Sequence, residues 1–267
     1  MIIVDGKKIA EDIKLDLQAR LEHNFKPRLV VVLVGDNPMS ANYVRHKQKF
    51  GDDLGVEVVV YEYEEQITQA ELEQEMSRLA DDDNVDGLIV QLPLPSHLDT
   101  PKILNLISPA KDIDALGGEA TVLSPVVKAV AEIFTRFDLE IKHKKIVVVG
   151  DGKLVGRPVA IWLTSLGGEV TQVKSGGSVE ALSALLSEAD IIISGVGKPN
   201  LISSAMIKDG VILIDAATSE VGGKVVGDMA KDCLDKSILF TPVPGGVGPI
   251  TMAMLFVNLL DLVDSKD

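Results

Sequence analysis

Short apolar runs alternate with stretches of helical periodicity along most of this chain, and this pattern restricts its fold more than any other feature. The run RLVVVLVG at residues 28–35 is rich in β-branched residues and has no polar face. Such a strand is typical of a parallel sheet that is covered on both sides. Comparable runs follow at 56–63, 86–95 and 144–150. Strands that alternate with helices in this way predict βαβ units and therefore an α/β fold.

The same pattern predicts further elements. Thr68 and Glu71 are spaced as a capping box that opens a helix to about Leu79. Ser124 and Pro125 are typical of an N-cap followed by proline at the first helical position. The other predicted elements are a helix along the stripe Ile9, Ile13, Leu17 and Leu21, helices at 40–54, 125–136, 154–166 and 249–263, and strands at 169–173, 189–195, 210–215 and 238–240.

Length and composition agree with two domains. The chain has 267 residues, of which 46% are hydrophobic and 25% charged, so it can bury a sizeable core. The strand–helix pattern restarts after a boundary near residues 115–125. From the residues alone, the terminal helix could pack on either of the two α/β domains.

The charge balance excludes a general nucleic-acid binder. Lysine and arginine number 26 against 40 acidic residues, for a net charge of −14, and such a surface repels phosphate backbones. The amino terminus has no basic segment followed by a long apolar run, and no run approaches the ~18 apolar residues that span a bilayer. The single cysteine, Cys233, allows no internal disulfide and fits a reducing compartment. We therefore expect a cytoplasmic protein without a membrane partner.

The segment VVVGDGKLVGRP at 147–158 carries the clearest chemical motif. Gly150, Gly152 and Gly156 stand between a buried strand and a helix, where they allow a tight turn and close approach of a phosphate. The following helix N-terminus offers N–H groups and a positive dipole end. The spacing varies from the usual dinucleotide fingerprint, and a tight turn without a ligand remains the alternative.

The next strand ends at Lys174 and Ser175, where an NAD site usually has an acidic residue. These two side chains could instead receive a 2′-phosphate, unless Lys174 is simply an exposed lysine. Asp151 has the opposite effect, because it places an anion inside the phosphate loop.

Two polar positions of the first half are candidates for catalysis. Tyr43 and Lys47 share one face of a helix, and a lysine close to apolar strand ends loses its charge more easily, which suits proton transfer. A solvated helix face is the alternative. Gln91 stands at the carboxyl end of an apolar strand, where parallel sheets bind ligands, or it is a satisfied buried amide.

Two further segments have unusual backbones or charges. Asp112 and Asp114 alternate along an extended segment, so one could bind a substrate while the other holds structure. The loop TPVPGGVGPIT at 241–251 has three prolines and three glycines and opens a helix, which favours close approach to a flat ligand over a simple turn. The four histidines have no metal-ligand spacing, so we expect no metal site.

Taken together, these segments resemble the bifunctional methylenetetrahydrofolate dehydrogenase/cyclohydrolase family. The matching segments follow the family order over nearly the whole chain, and the pairing of VQLPLP with PVPGGVGP is highly specific. They are SANYVRHKQKF, DGLIVQLPLPSHLD, PAKDID, VVVGDGKLVGRPVA, ADIIISGVGKPN, KDGVILIDAA, GKVVGD and TPVPGGVGPIT.

The resemblance implies two α/β domains around a cleft, the second a Rossmann-like dinucleotide-binding domain. It implies a folate-binding catalytic domain at 1–120 together with the terminal helix 249–267, and an NAD(P)-binding domain at 121–248. The family forms homodimers. It oxidises 5,10-methylenetetrahydrofolate to the methenyl form with NADP or sometimes NAD, and then hydrolyses the product to 10-formyltetrahydrofolate.

The resemblance also implies roles for single residues. Lys47 matches the lysine essential for hydrolysis, Gln91 the glutamine that tunes it, Tyr43 the tyrosine that stacks near the folate, and Asp114 the aspartate that holds the pterin ring. The remaining implied folate contacts are Leu92, Pro93, Pro244, Gly245, Gly246, Pro249 and Thr251. The implied cofactor contacts are Gly150, Asp151, Gly152, Lys153, Val155, Gly156, Lys174, Ser175, Gly195 and Gly197.

Four departures from the family pattern fall on or near the cofactor side. Asp151-Gly152 replaces the usual Arg-Ser, and residues 174–177 read KSGG where His-Ser-Arg/Lys-Thr is usual. The segment after Asp114 is shortened, and AATSE follows Asp215 in place of the common Val-Gly-Ile-Asn. Two alternatives therefore stay open: a monofunctional cyclohydrolase whose dinucleotide site has decayed, and a catalytically silent folate- or nucleotide-binding paralogue.

Overall fold

A computed structural model describes residues 1–21, 26–174 and 176–265. The strands of this part of the chain are β1 (Ile2–Ile3), β2 (Arg28–Val34), β3 (Glu57–Tyr63), β4 (Gly87–Val90), β5 (Lys145–Val149), β6 (Glu169–Val173), β7 (Ile191–Ser194), β8 (Val211–Asp215), β9 (Ser219–Val221), β10 (Lys224–Val226) and β11 (Ser237–Phe240). The helices are α1 (Gly6–Arg20), α2 (Pro38–Leu54), α3 (Gln69–Asp81), α4 (Thr100–Leu104), α5 (Pro125–Arg136), α6 (Gly156–Ser165), α7 (Val179–Leu186) and α8 (Val247–Asp264).

The chain divides into two compact units, which confirms the predicted α/β class. Unit 1 comprises Met1–Ala10 with Val126–Thr251, and unit 2 comprises Glu11–Pro125 with Met252–Asp267. The domain bounds predicted from the sequence stay a prediction. They differ from the units at the amino terminus, where β1 pairs in parallel with β11 and so joins the sheet of unit 1.

Unit 1 is built on a six-stranded parallel sheet with the order β1-β11-β8-β7-β5-β6. The inner strands β5 and β7 are almost wholly buried, because helices and neighbouring strands cover them on all sides. β6 lies at the edge and is largely exposed. The carboxyl ends of β5, β6, β7 and β8 therefore point to one edge of the sheet, where ligands bind in folds of this kind.

Unit 2 has a three-stranded parallel sheet with the order β3-β2-β4. The central strand β2 is buried along six of its seven residues, as its continuous apolar run predicts. α3 packs Leu72, Met76 and Leu79 into the core beside it. The predicted capping box is confirmed, since the Thr68 hydroxyl accepts from the Glu71 amide and the Glu71 carboxylate accepts from the Thr68 amide.

Some predicted bounds differ from the structure for identifiable reasons. The predicted strand 86–95 ends at Val90, because Pro93 and Pro95 have no N–H for a ladder. α2 begins at Pro38, two residues before the predicted start, because the Asn37 side chain caps it and accepts from Met39 N and Ser40 N. α5 begins at Pro125 as predicted, but the buried Ser124 hydroxyl has no hydrogen-bond partner and does not cap it.

The terminal helix α8 is long and mostly apolar. It has the length and composition that a membrane-spanning helix needs, and 56% of it is buried inside the protein, as in the core helix of a soluble protein. Phe256 stacks on Phe50 of α2 with ring centroids 4.9 Å apart. The polar Asn258 is fully buried and its Nδ2 is hydrogen-bonded to two backbone carbonyls, so the residue that interrupts the apolar run connects segments within unit 2.

Candidate active site

A buried lysine and a glutamine meet inside unit 2. Lys47 lies on the inner face of α2 with 7% of its surface exposed, and Gln91 follows the last residue of β4. The Lys47 Nζ donates to Gln91 Oε1 at 2.6 Å, and Gln91 Nε2 donates to the carbonyl of Leu92 at 2.8 Å. The Leu92 carbonyl thereby orients the amide so that its oxygen, and not its nitrogen, faces the lysine.

The environment of Lys47 weakens its charge. Burial lowers the pKa of Lys47, and the nearby carboxylate of Asp114 opposes this shift. Burial also raises the pKa of Asp114 to about 6, while Lys47 lowers it and Asp112 raises it. An amine and a carboxyl whose pKa values are shifted towards each other exchange protons more readily than unperturbed groups, which favours acid–base catalysis.

Of the two aspartates of the segment KDID, Asp112 has a structural role, and substrate binding by Asp114 stays a prediction. Asp112 is 1% exposed, and its carboxylate accepts from Gly117 N at 2.7 Å and from Leu116 N at 3.4 Å. Asp112 therefore holds the turn that follows. Asp114, taken as a whole residue, is only partly buried.

Asn258 fixes the same segment from α8, a role that sequence reasoning missed. Its Nδ2 donates to the carbonyl of Ile113 at 2.7 Å and to the carbonyl of Leu123 at 2.9 Å. One amide thus ties together both ends of the shortened segment and holds the backbone beside Asp114. A polar residue inside an otherwise apolar helix was the only available signal.

Tyr43 lies on α2 one helical turn before Lys47 and is partly exposed, so its ring is available to a ligand. Pro93 is exposed and Leu92 is partly buried beside it. The structure thus places Tyr43, Lys47, Gln91, Leu92 and Asp114 in unit 2. Their roles towards a substrate remain predictions.

The glycine-rich loop of unit 1 follows β5. Gly150 has a φ of +115°, and its amide donates to Val173 O at 2.8 Å. A Cβ at Gly156 would overlap the carbonyl of Gly150, so both positions require glycine for steric reasons. Gly152 is different, because a Cβ there would meet no atom within 4 Å. The loop therefore leaves open space at Gly152, next to the start of α6.

The surroundings of this loop fit an anion. α6 begins at Gly156, and no side chain of the described residues caps its N-terminus, so the positive dipole end suits a phosphate. Few amides of the first turn are available, because Arg157 N donates to Gly152 O at 3.0 Å and Pro158 has no N–H. Lys153, Lys174 and Arg157 supply exposed cations, whereas Asp151 supplies an exposed anion. Arg157 in the first turn of α6 was not singled out from the sequence. Ser175 lies outside the described residues.

The loop after β7 packs on the glycine-rich loop. A Cβ at Gly195 would overlap the side chain of Val155, and a Cβ at Gly150 would come within 3.3 Å of the Gly195 carbonyl. Gly197 adopts a φ of +78° in the same loop. The structure therefore brings Gly150, Val155 and Gly195 together at the carboxyl edge of the unit 1 sheet.

The proline- and glycine-rich loop before α8 belongs to unit 1. The Gly246 amide donates to Pro242 O at 2.7 Å, and the Gly6 amide donates to Gly245 O at 2.8 Å. Gly245 has a φ of +106° and Pro244 is exposed. Pro249 lies in the first turn of α8, and the Thr251 hydroxyl donates to Val247 O at 3.0 Å. The loop is therefore held in one shape by short backbone contacts.

We expect Gly6→Ala to destabilise unit 1, because a Cβ at Gly6 would overlap the Gly246 carbonyl. Overpacking of this kind costs about 1–3 kcal/mol of unfolding free energy. Urea denaturation of the parent and the variant measures the change. Gly248→Ala is the matched control, since a Cβ there meets nothing within 4 Å and alanine favours the helix. Equal stability of Gly6→Ala and the parent would contradict this contact.

Comparison with known proteins assigns a family to both halves of the chain. The catalytic domain of tetrahydrofolate dehydrogenase/cyclohydrolase matches residues 4–114, and its NAD(P)-binding domain matches residues 124–267. The bifunctional protein FolD of Nautilia profundicola is 39% identical over 273 residues, which cover 97% of this chain and 95% of that protein.

Solved structures agree. The bifunctional FolD enzyme of Campylobacter jejuni, a methylenetetrahydrofolate dehydrogenase/cyclohydrolase, is 35% identical with a TM-score of 0.95, and each chain covers 100% of the other. The Trypanosoma brucei enzyme, complexed with NADP cofactor and inhibitor, is 31% identical with a TM-score of 0.93, over 99% of this chain and 98% of that one. On this sequence and structural evidence, the chain belongs to the tetrahydrofolate dehydrogenase/cyclohydrolase family.

Proposed function

We propose that this protein oxidises 5,10-methylenetetrahydrofolate to the methenyl form with NADP and hydrolyses that product to 10-formyltetrahydrofolate. The observation that carries the proposal is the buried contact of Lys47 with Gln91 next to Asp114, in a chain of this family. Both substrates are tetrahydrofolate one-carbon derivatives, so one pterin site serves both reactions.

The hydrolytic step requires a proton acceptor. Water adds to the methenyl carbon, which carries a positive charge, the carbon–nitrogen bond of the ring opens, and one proton leaves. Burial lowers the pKa of Lys47, which favours the neutral form of its amine. A neutral amine can donate one N–H to Gln91 Oε1 and still present its lone pair to the water. Gln91 thereby positions Lys47 for proton transfer.

Asp114 supplies the pterin contact in this proposal. A carboxylate that accepts from an amino group and an adjacent ring N–H is strong and geometrically selective. Asn258 and Asp112 hold the backbone on either side of Asp114. Tyr43 is the stacking partner proposed for the flat part of the folate.

The residues of unit 1 fit a dinucleotide. Open space at Gly152 and the uncapped start of α6 suit the pyrophosphate, and Lys174 with Ser175 is proposed for a 2′-phosphate. The bound nicotinamide would accept a hydride from the methylene carbon. The protein contributes the binding and orientation of the reactants.

One observation favours the alternative of a monofunctional cyclohydrolase with a decayed cofactor site. Asp151 is an exposed anion in the phosphate loop, where the family usually has an arginine. The alternative predicts hydrolysis of methenyltetrahydrofolate without oxidation of the methylene compound. A silent paralogue would show neither activity, although it would have no use for the buried Lys47.

We expect weak discrimination between NADP and NAD in the parent, because Asp151 repels a phosphate while Lys153 and Lys174 attract it. Asp151→Arg should strengthen the binding of NADP more than the binding of NAD. The substitution reverses the sign of the Coulomb interaction between residue 151 and the 2′-phosphate, which is worth about 1–4 kcal/mol. Calorimetric titration at fixed ionic strength gives both dissociation constants. Asp151→Asn, which removes the charge only, should fall between the two. Tight and strongly selective NADP binding by the parent would contradict this prediction.

We also propose a homodimer that works in the cytoplasm. In support, the hairpin of β9 and β10 is a separate two-stranded sheet, and it exposes Val221 by 55% and Val225 by 42%. A two-stranded hairpin is marginal by itself and gains stability from a partner. Sedimentation of the parent and of a Val221→Asp, Val225→Asp double variant tests the association.

Two parallel assays test the proposed function. One follows oxidation of methylenetetrahydrofolate with NADP and with NAD, and the other follows hydrolysis of added methenyltetrahydrofolate without dinucleotide. The proposal expects both activities in the purified chain. Hydrolysis alone would establish the cyclohydrolase alternative, and neither activity would favour the silent paralogue.

A further inference from the structure

We propose that Asp228 is a positioning residue that holds the loop after β7 in the shape that the dinucleotide site requires. Asp228 is completely buried in unit 1. One of its carboxylate oxygens accepts from the Ser194 hydroxyl at 2.6 Å and from Val196 N at 2.8 Å, and the other accepts from Lys198 N at 2.6 Å. The inference rests on the proposed function, because it assigns the loop to NADP binding.

These three hydrogen bonds define the course of residues 194–198. They join the end of β7 to the backbone amides of Val196 and Lys198, which lie on either side of Gly197. The backbone carbonyl of Asp228 also accepts from Ile202 N at 3.0 Å, so one residue holds the loop at its start and beyond its end. Bonds to a charged acceptor are stronger than neutral ones, and a buried carboxylate is costly unless it is fully bonded.

The loop after β7 packs directly against the glycine-rich loop, so its position affects the proposed cofactor site. Gly195 lies so close to Val155 that no Cβ fits, and the Gly195 carbonyl lies beside Gly150. A shift of the 194–198 segment would therefore displace the glycine-rich loop or leave a gap next to it. Precise backbone placement matters here, because a pyrophosphate is bound through backbone N–H groups.

Asp228 is itself held in place by a second buried carboxylate. Asp215, at the end of β8, accepts from Met229 N at 2.9 Å and from Ala217 N at 3.1 Å. A Cβ at Gly227 would overlap the Asp215 carboxylate, which explains glycine before Asp228. The segment GKVVGD, which ends at Asp228, thus connects the end of β8 to the loop after β7 through these hydrogen bonds.

Two variants with a matched control test this proposal. Asp228→Asn places an N–H group opposite one of the three hydrogen-bond donors. Ser194→Ala removes only the hydroxyl donor, and this milder variant serves if Asp228→Asn does not fold. Asp190→Asn is the control, because Asp190 precedes β7 at the opposite end of the strand and bonds Lys145 N at 2.9 Å and Lys208 Nζ at 2.6 Å.

The first measurement is hydrogen exchange of the 194–198 segment in the absence of dinucleotide. The second is the dissociation constant of NADP by titration. We expect at least tenfold faster exchange and at least tenfold weaker NADP binding in Asp228→Asn, and about threefold changes in Ser194→Ala. Hydrolysis of methenyltetrahydrofolate without dinucleotide should stay within twofold of the parent, which a general loss of folding would not allow. The control should match the parent in all three measurements.

The proposal is overturned if exchange of the segment is unchanged in Asp228→Asn, or if exchange rises while NADP binding stays within twofold of the parent. A parent that binds NADP but does not oxidise methylenetetrahydrofolate would contradict the proposed function instead, and the exchange and binding results would still decide the role of Asp228.

Discussion

Lys47→Met is expected to lower the rate of methenyltetrahydrofolate hydrolysis by about 10²- to 10⁴-fold, the usual loss when a positioned acid–base group is removed. Methionine has a similar length and no charge, so it fills the buried site on α2 and should leave the fold intact. Burial lowers the pKa of Lys47, and its Nζ donates to Gln91 Oε1 at 2.6 Å, which holds the amine in place for proton transfer. The loss of methenyltetrahydrofolate over time measures the effect.

Lys49→Met is the matched control. Lys49 lies on the same helix, but its side chain is 77% exposed and forms a surface ion pair with Asp53 at 3.7 Å. Its replacement should leave hydrolysis within twofold of the parent. A Lys47→Met rate within a few-fold of the parent would show that the assigned role is wrong.

Asp114→Ala should weaken folate binding by about 100-fold, because two charge-assisted hydrogen bonds are lost at about 1.5 kcal/mol or more each. Asp114→Asn keeps one hydrogen-bond acceptor and should therefore lose less folate affinity than Asp114→Ala. Dinucleotide binding should stay within threefold of the parent in both variants, since Asp114 belongs to unit 2. Titrations with a tetrahydrofolate ligand and with NADP measure the two effects. Equal loss of both, or loss of neither, would contradict the assignment.

Folate binding should also depend on pH through Asp114. Its pKa is raised to about 6, so the carboxylate form that accepts the two N–H groups dominates above that pH and is lost as the pH falls. Affinity should therefore decrease below pH 6 by up to about tenfold per pH unit. The Asp114→Asn variant should not show this dependence. A flat profile in the parent would exclude the carboxylate as the titrating group.

Local patterns were sufficient for most elements of the fold. The apolar runs at β2, β5 and β8, the helical stripe of α1 and the capping box at Thr68 depend on neighbouring residues, so they could be read from the sequence. The hairpin of β9 and β10 was missed, although its Gly222-Gly223 turn, with φ values of +58° and +74°, is typical of a two-residue hairpin. β1 has only two residues and was not predictable, because its pairing with β11 spans almost the whole chain.

The residues of the candidate site also differ in whether their role depends on neighbouring or on distant parts of the sequence. Lys47, Gln91 and Asp114 could be predicted as site residues because their motifs are local and their family match is specific, and their roles stay predictions. Asn258 was missed because its partners Ile113 and Leu123 lie at least 135 positions away. Asp228 was missed for the same reason, since it acts on a loop about 30 residues earlier that no periodicity connects to it.

The most direct test of the central claim is to give the purified protein 5,10-methylenetetrahydrofolate and NADP and to follow NADPH and 10-formyltetrahydrofolate in the same sample. If one chain carries both activities, the two products accumulate together, one NADPH for each 10-formyl product at completion. In Lys47→Met, NADPH should still form while 10-formyltetrahydrofolate falls to a small fraction of the parent amount. A parent that forms no NADPH with either NADP or NAD, but hydrolyses added methenyltetrahydrofolate, would contradict the account.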